Sequence, residues 1–122
     1  MKVAYIAHPI SGDQKGNVDK ILQIVRQINL FEKDVVPFAP YVADCMIMDD
    51  SNQAHRSRCI ENDVELLKRG FVDEVRLYGD KVSSGMQAEV ELAHEAGIPV
   101  VPMTPQTAAE YMKMFPEPVY ED

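Results

Sequence analysis

Two carboxylates stand on the apolar sides of predicted helices, where they could serve as a nucleophile and an acid or base. One helix is predicted over residues 83–97, and a rotation of about 100° per residue places Glu89 among its apolar side chains. Another is predicted over residues 52–70, with Asp63 at the centre of its apolar stripe. Because burying an unpaired carboxylate costs several kcal/mol, each of these residues needs either a partner or a chemical role.

A structural ion pair is the simplest alternative role for Asp63. Arg56 lies two helical turns before Asp63 and points in the same direction, so it could neutralise that carboxylate. Two helices with the same inward carboxylate nevertheless favour a shared cleft, since enzymes tune the pKa values of catalytic groups in this way. Both interpretations remain open at this point.

Composition limits the classes of protein to which the chain can belong. With 122 residues and 46% hydrophobic content, we expect one domain with its own core. The net charge of −8 and the lack of basic runs argue against nucleic-acid binding. Cys45 and Cys59 lack the spacing of a metal or redox pair, and no signal peptide or long apolar run is present. We therefore expect a cytoplasmic protein with free thiols, no membrane contact, no metal and no cofactor.

Signals for strands and helices alternate along the chain. Strands are predicted at residues 2–7, 35–38, 74–78 and 98–101, and further helices after an N-cap at Asn17 and over residues 105–114. Residues 42–48 are apolar without a clear period. This alternation predicts a parallel sheet with helices on both faces. We expect one domain over residues 1–114 and a tail over residues 115–122 that is loose or docks on a partner subunit.

Ligands of such folds bind beyond the carboxyl ends of the strands. The loop at residues 8–16 and the loop before residue 83 both reach that edge, and neither matches a dinucleotide fingerprint or a P-loop. Ordinary glycine turns remain the alternative for each loop. Besides Arg56 and Ser83, the residues predicted to contact substrate are Tyr5, His8, Ser11, Gly12, Ser84 and Gly85. For Tyr5, His8 and the nearby Tyr41, simple packing is the competing interpretation.

Several segments in order carry a family resemblance. They are Tyr-Ile-Ala at 5–7, Pro-Ile-Ser-Gly at 9–12, Glu-Asn-Asp at 61–63, Ser-Ser-Gly-Met-Gln-Ala-Glu at 83–89 and Gly-Ile-Pro-Val at 97–100. The chain resembles the nucleoside 2-deoxyribosyltransferase superfamily, which includes the 2′-deoxynucleoside 5′-phosphate N-hydrolases. The resemblance implies an α/β fold of the flavodoxin-like or Rossmann-like type, a three-layer sandwich with a mostly parallel sheet of four to five strands. It also implies a homodimer that cleaves an N-glycosidic bond of a nucleoside or nucleotide.

The same resemblance implies roles for individual residues. Glu89 matches the nucleophile, Asp63 matches the carboxylate that assists the leaving base, and Ser83 matches a phosphate-binding serine. An attacking carboxylate must be ionised, and we expect the helix start near Gly85 to keep Glu89 charged. A nucleobase leaves poorly unless it is protonated, which makes Asp63 the candidate general acid. Arg56 would orient Asp63 or contact an anionic group of the ligand.

The first loop departs from the family pattern. His8 stands where glycine is common, and Pro9 and Ser11 replace the serine and arginine of the phosphate-specific hydrolases. Three functions therefore remain open: a hydrolase with other sugar or phosphate contacts, a base-exchanging transferase, and a non-catalytic nucleotide-binding or sensor protein. A purely structural domain is a weaker alternative, because two inward carboxylates argue against it. The Met-rich and aromatic segment at residues 37–48 also favours a homodimer.

Overall fold

The computed structural model describes residues 1–116 as an α/β fold with one parallel sheet. In chain order its elements are β1 (Lys2–Ala7), α1 (Gln14–Phe31), β2 (Val35–Phe38), α2 (Tyr41–Ile47), α3 (Gln53–Lys68), β3 (Glu74–Leu77), α4 (Ser84–Ala96), β4 (Val100–Pro102) and α5 (Pro105–Met114). The strand order is β2-β1-β3-β4, and each neighbouring pair is parallel. The predicted fold class, a flavodoxin-like α/β sandwich, is confirmed.

The central strand β1 is buried on both of its faces. Tyr5 and Ala7 point into the main core, which also contains buried residues of α3 and α4. Ala4 and Ile6 point to the opposite face, where they meet Ile28 of α1. Because successive side chains of a strand alternate between faces, a strand covered on both sides needs an unbroken apolar run, and residues 4–7 provide one.

The first helix begins earlier than its predicted N-cap at Asn17. Asp13 is the N-cap: one of its carboxylate oxygens accepts a hydrogen bond of 3.1 Å from the Gly16 N–H. The Asn17 side-chain amide instead donates to the Ile10 carbonyl at 2.9 Å, which ties the helix to the loop after β1. The prediction was wrong because Asp13 and Asn17 are both good caps and Gly16 looks like a loop residue.

The capping residues of α3 and α4 agree with the predicted starts of these helices. Asn52 accepts hydrogen bonds from the N–H groups of the first turn of α3, and Ser83 accepts one from the Met86 N–H at 3.3 Å. Gly97 ends α4 with a φ of 72°, a left-handed conformation that favours glycine. The apolar stripe of α3 is not buried along its whole length, because Ile60 is 55% exposed. The middle of α3 faces a cavity rather than the core.

The last helix fixes the loop that leads into α4. The Thr107 hydroxyl donates to the Leu77 carbonyl at 3.1 Å, and the Thr104 hydroxyl donates to the Gly79 carbonyl at 2.8 Å. The carboxylate of Glu110 accepts a hydrogen bond from the Val82 N–H. Three side chains of this C-terminal segment therefore hold residues 77–82 in place.

Within residues 1–116, no helix has both the length and the apolar character needed to cross a membrane. The predicted tail at residues 115–122 lies, from residue 117 onward, outside the described residues.

Candidate active site

A cavity of about 810 Å³ opens at the carboxyl ends of β1 and β3. Its walls come from the loop after β1, from α2 and α3, and from α4 with the loop that precedes it. Glu89 of α4 and Asp63 of α3 both line this cavity. The structure thus brings together the two carboxylates that the helical periodicity singled out.

Most of the predicted substrate contacts lie on the same cavity. His8, Ser11, Arg56, Ser83, Ser84 and Gly85 all line it. Tyr5 is fully buried in the core beside Glu89 instead of lining the open space. Gly12 is not brought to the cavity: it is an exposed turn residue with a φ of 96°.

Glu89 is held in a poorly hydrated position. Burial raises its pKa to about 8, the hydrogen-bonding influence of Tyr5 lowers that pKa, and the negative charge of Asp63 raises it. The helix start was expected to keep Glu89 ionised, and this expectation was wrong. Glu89 lies in the second turn of α4, whereas the field of a helix end acts mainly within the first turn.

Asp63 is also shifted toward its protonated form. Burial, followed by the nearby charge of Asp44, raises its pKa to about 7. Arg56 does not offset this effect, because its guanidinium is directed to Asp50, with 3.8 Å between Nε and Oδ1. The structural ion pair between Arg56 and Asp63 was therefore a wrong interpretation, as was the role of Arg56 in orienting Asp63.

Asp44 is a site residue that the sequence did not reveal. It lines the cavity from α2, and its carboxylate accepts a hydrogen bond of 3.3 Å from the side-chain amide of Asn62, the residue before Asp63. The periodicity of residues 42–48 was too weak to predict a helix, so no face could be assigned to Asp44. The available signal was the preference of acidic residues for the first turn of a helix, where Asp44 lies in α2.

Two buried tyrosines lie close to the carboxylate pair. The Tyr41 hydroxyl donates to the Ile6 carbonyl, which gives this side chain a structural partner. The Tyr5 hydroxyl has no hydrogen-bond partner of good distance and angle among the described residues, although it is near enough to Glu89 to lower that pKa. Burial and then the charge of Glu89 raise the pKa of both hydroxyls, so both remain protonated donors. Tyr5 can turn its proton toward an ionised Glu89.

His8 is neutral at the edge of the cavity. It is 6% exposed, and burial is the main cause that lowers its pKa. Its Nδ1 lies 2.7 Å from the Pro9 carbonyl, to which it donates, so Nε2 remains as an acceptor. Gly79 packs against this loop, and a Cβ at residue 79 would lie 2.8 Å from Cδ of Pro9.

The rim of the cavity is polar and exposed. The Ser11 hydroxyl donates to Asp50 at 3.2 Å, and Asp50 also faces Arg56, which connects the loop after β1 to the loop between α2 and α3. Ser84 and Gly85 are exposed in the first turn of α4, where backbone N–H groups have no partner within the helix. The rim therefore offers both hydroxyl and amide donors to a ligand.

Comparison with known proteins gives a family and a similar fold. The model of a family described as Domain of unknown function (DUF7768) matches residues 2–103. The chain belongs to this family. A search of curated proteins finds no match. Among solved structures, the 2-deoxyribosyltransferase from the psychrotolerant bacterium Bacillus psychrosaccharolyticus is similar, with a TM-score of 0.54 and 22% identity over 82% of this chain and 70% of that chain. At this identity the likeness supports the fold.

The cavity of this DUF7768 domain can support acid and nucleophilic chemistry. It is lined by two carboxylates whose pKa values are raised to about 7 and about 8, and the neutral hydroxyl of Tyr5 lies in the core beside the more basic of them. Near neutral pH such a pair holds one proton between two carboxylates. The ionised carboxylate can then act as nucleophile and the protonated one as acid.

Proposed function

We propose that residues 1–114 form an N-glycosidase that cleaves the base from a nucleoside or nucleoside 5′-monophosphate. The observation that carries this proposal is the position of Glu89 and Asp63 on one cavity, each with a raised pKa. The similarity of the fold to a 2-deoxyribosyltransferase supports the same chemistry.

The reaction proceeds through a covalent intermediate on Glu89. One Glu89 carboxylate oxygen attacks C1′ of the sugar while the C1′–N bond to the base breaks. The electron pair of that bond moves to the base nitrogen, and Asp63 donates a proton to the departing base. Water then attacks C1′ and gives one proton to the Asp63 carboxylate, which restores both residues and releases the free sugar.

This route needs Glu89 ionised and Asp63 protonated at the same time. Their pKa values of about 8 and about 7 mean that this arrangement is one of two ways to place a single proton on the pair. When Glu89 is ionised, the Tyr5 hydroxyl can turn its proton toward this carboxylate and stabilise the charge. We therefore assign Tyr5 to positioning and charge stabilisation rather than to binding the base.

Hydrolysis fits this cavity better than base exchange. Ser11, Ser84 and Gly85 at the rim are exposed, which supports entry of water into the cavity once the base has left. A transferase must keep water out until the second base arrives.

A binding protein without turnover is the second candidate. The raised pKa of Glu89 favours it, because at pH 7 most of the ligand-free protein holds this side chain in the neutral form. A neutral Glu89 donates and accepts hydrogen bonds to a ligand but does not attack C1′.

Base release from a panel of nucleosides and their 5′-monophosphates, followed by chromatography, tests the enzyme against the binder. We expect Glu89→Gln to lower turnover by about 10³-fold or more while calorimetry still detects ligand binding, because Gln keeps the shape but is no nucleophile. The matched control is Glu65→Gln, an exposed α3 position that pairs with Arg69 outside the cavity. If the wild type binds a nucleoside tightly yet releases no base from any compound, the binding function replaces the glycosidase.

A further inference from the structure

The cavity carries far more acidic than basic side chains. Beyond Glu89 and Asp63, five further carboxylates line it: Asp44, Asp49, Asp50, Glu91 and Glu95. Four basic side chains line it in the described part of the chain: His8, His55, Arg56 and Lys81. Seven carboxylates therefore share this cavity with two side chains of the Lys or Arg type.

Three of the four basic side chains contribute little positive charge to a ligand. Burial holds the pKa of His8 low, so its ring is neutral. The Nδ1 atom of His55 accepts a hydrogen bond of 2.8 Å from the Asp49 N–H, an arrangement that needs an unprotonated nitrogen. Arg56 faces Asp50 at 3.8 Å. The charges of Arg56 and Asp50 offset each other, so Lys81 alone of these four faces the other carboxylates of the cavity.

This charge distribution disfavours an anion and favours a cation. Asp44 is held beside α3 by Asn62 and repels the charge of Asp63, which in turn repels the charge of Glu89. A phosphate placed among these groups would add to the repulsion, whereas a positive charge would be attracted by each of them.

We infer that the preferred substrate is a nucleoside whose base carries a fixed positive charge, such as an N-ribosyl pyridinium. This inference rests on the proposed N-glycosidase function. The 5′ position of this substrate bears a hydroxyl and no phosphate. The carboxylates of α2, α3 and α4 surround the base and select it by charge.

A cationic base also removes the requirement that Glu89 be ionised while Asp63 is protonated. When Glu89 attacks C1′, the electron pair of the C1′–N bond neutralises the ring, and the base departs without a proton from Asp63. The positive ring stabilises the ionised form of Glu89 before attack, so the substrate itself activates the nucleophile. Asp63 then acts as an ionised base that takes the proton of the water that hydrolyses the ester.

Binding measurements separate charge from reactivity. With the Glu89→Gln variant, which stops turnover, calorimetry compares nicotinamide riboside with its neutral 1,4-dihydro form and with nicotinamide riboside 5′-monophosphate. We expect the cation to bind at least about tenfold more tightly than the neutral form at low salt, and the ratio to fall as salt rises from about 0.02 M to about 0.3 M. Equal or weaker binding of the cation, or tighter binding of the monophosphate, overturns the inference.

Two substitutions locate the source of the selectivity. Asp44→Asn removes one negative charge from the cavity and should lower the cation-to-neutral binding ratio several-fold. Glu65→Gln removes the same charge from the exposed face of α3, where the side chain is 61% accessible, and should leave that ratio unchanged. Equal effects of the two substitutions would attribute the preference to net charge and contradict a selective cavity.

Turnover distinguishes failure of this inference from failure of the proposed function. In a first turnover, Asp63→Asn should lower the rate of base release far more with inosine, whose base needs a proton to leave, than with nicotinamide riboside; later turnovers should slow with both substrates, because Asp63 takes the proton of the hydrolytic water. If no compound loses its base, the proposed function itself fails. If inosine or a monophosphate is cleaved in a Glu89-dependent way while the cation binds poorly, the glycosidase stands and only the cationic substrate is rejected.

Discussion

Glu89 and Asp63 titrate close together, so the pH dependence of the reaction tests their shared proton. For a neutral nucleoside we expect kcat/KM to follow a bell with its maximum between the two pKa values, about 7 and about 8. Asp44→Asn removes one of the two causes that raise the pKa of Asp63, so the acidic limb should move to lower pH. Initial rates measured across this range give the profile. A profile that stays flat from about pH 6 to about pH 9 contradicts the assignment of the pair.

The same raised pKa should affect the stability of the fold. Glu89 titrates at an ordinary value of 4.5 when hydrated and at about 8 in the folded protein. Between these values the folded state holds more protons than the unfolded state, so the Glu89 contribution to the free energy of unfolding falls as pH rises. We expect Glu89→Gln to become progressively more stable relative to wild type from about pH 5 to about pH 9, as measured by urea unfolding. For the control Glu65→Gln, the free energy of unfolding relative to wild type should not change with pH. If the relative free energy of Glu89→Gln is equally independent of pH, the raised pKa of Glu89 is excluded.

For single residues, helical periodicity predicts which way a side chain points but not which charged group it contacts. It placed Glu89 and Asp63 on inward faces, and both line the cavity. It could not show that Arg56 is directed to Asp50, because that choice depends on the loop between α2 and α3. It also could not reveal Asp44, whose influence on Asp63 exists only once two helices lie side by side. Electrostatic neighbours come from tertiary packing, which periodicity does not encode.

Among the connecting elements, the loop after β3 depends on Gly79. This residue has a φ of 92°, and a Cβ there would lie 2.8 Å from the Pro9 ring. Gly70, with a φ of 80° and open space around its Cα, provides a matched control. Gly70→Ala should cost roughly 1–2 kcal/mol for the left-handed backbone alone. Gly79→Ala should cost measurably more in urea unfolding and should lower base release, because Pro9 and His8 must move. Equal costs for the two variants would show that the loop yields without strain.

The regular elements could largely be predicted, and the errors have local causes. Long segments with strong caps, such as α4 between Ser83 and Gly97, were located correctly because caps and period agree. The start of α1 was wrong because two residues, Asp13 and Asn17, compete as caps. The seven-residue helix α2 escaped prediction, since it is too short to establish a period and is held by its contact with the core through Tyr41.

For the whole molecule, a homodimer remains a prediction. Large apolar side chains are exposed on α2 and α3, including Ile47 at 77% and Ile60 at 55%. Ile60 also lines the cavity, so a second subunit covering this surface would help to close the site. We expect light scattering to give twice the mass of one chain at micromolar concentration.

Two substitutions at exposed apolar positions test this interface. Ile47→Glu should shift the protein toward the monomer and weaken ligand binding, because a charge cannot be buried there without a partner. Phe31→Glu at the end of α1, where the side chain is 76% exposed, should leave the mass unchanged. A wild type with the mass of a single chain would exclude the dimer.

Hydrogen bonds from α5 and its N-cap position a loop of the site from outside the cavity. Thr104, Thr107 and Glu110 hold the loop that presents Ser83, and all three lie beyond residue 103, where the family match ends. Substitutions in α5 can therefore move the rim of the cavity without touching a residue that lines it. Ligand preference can in this way change while Glu89, Asp63 and the rest of the cavity lining stay the same.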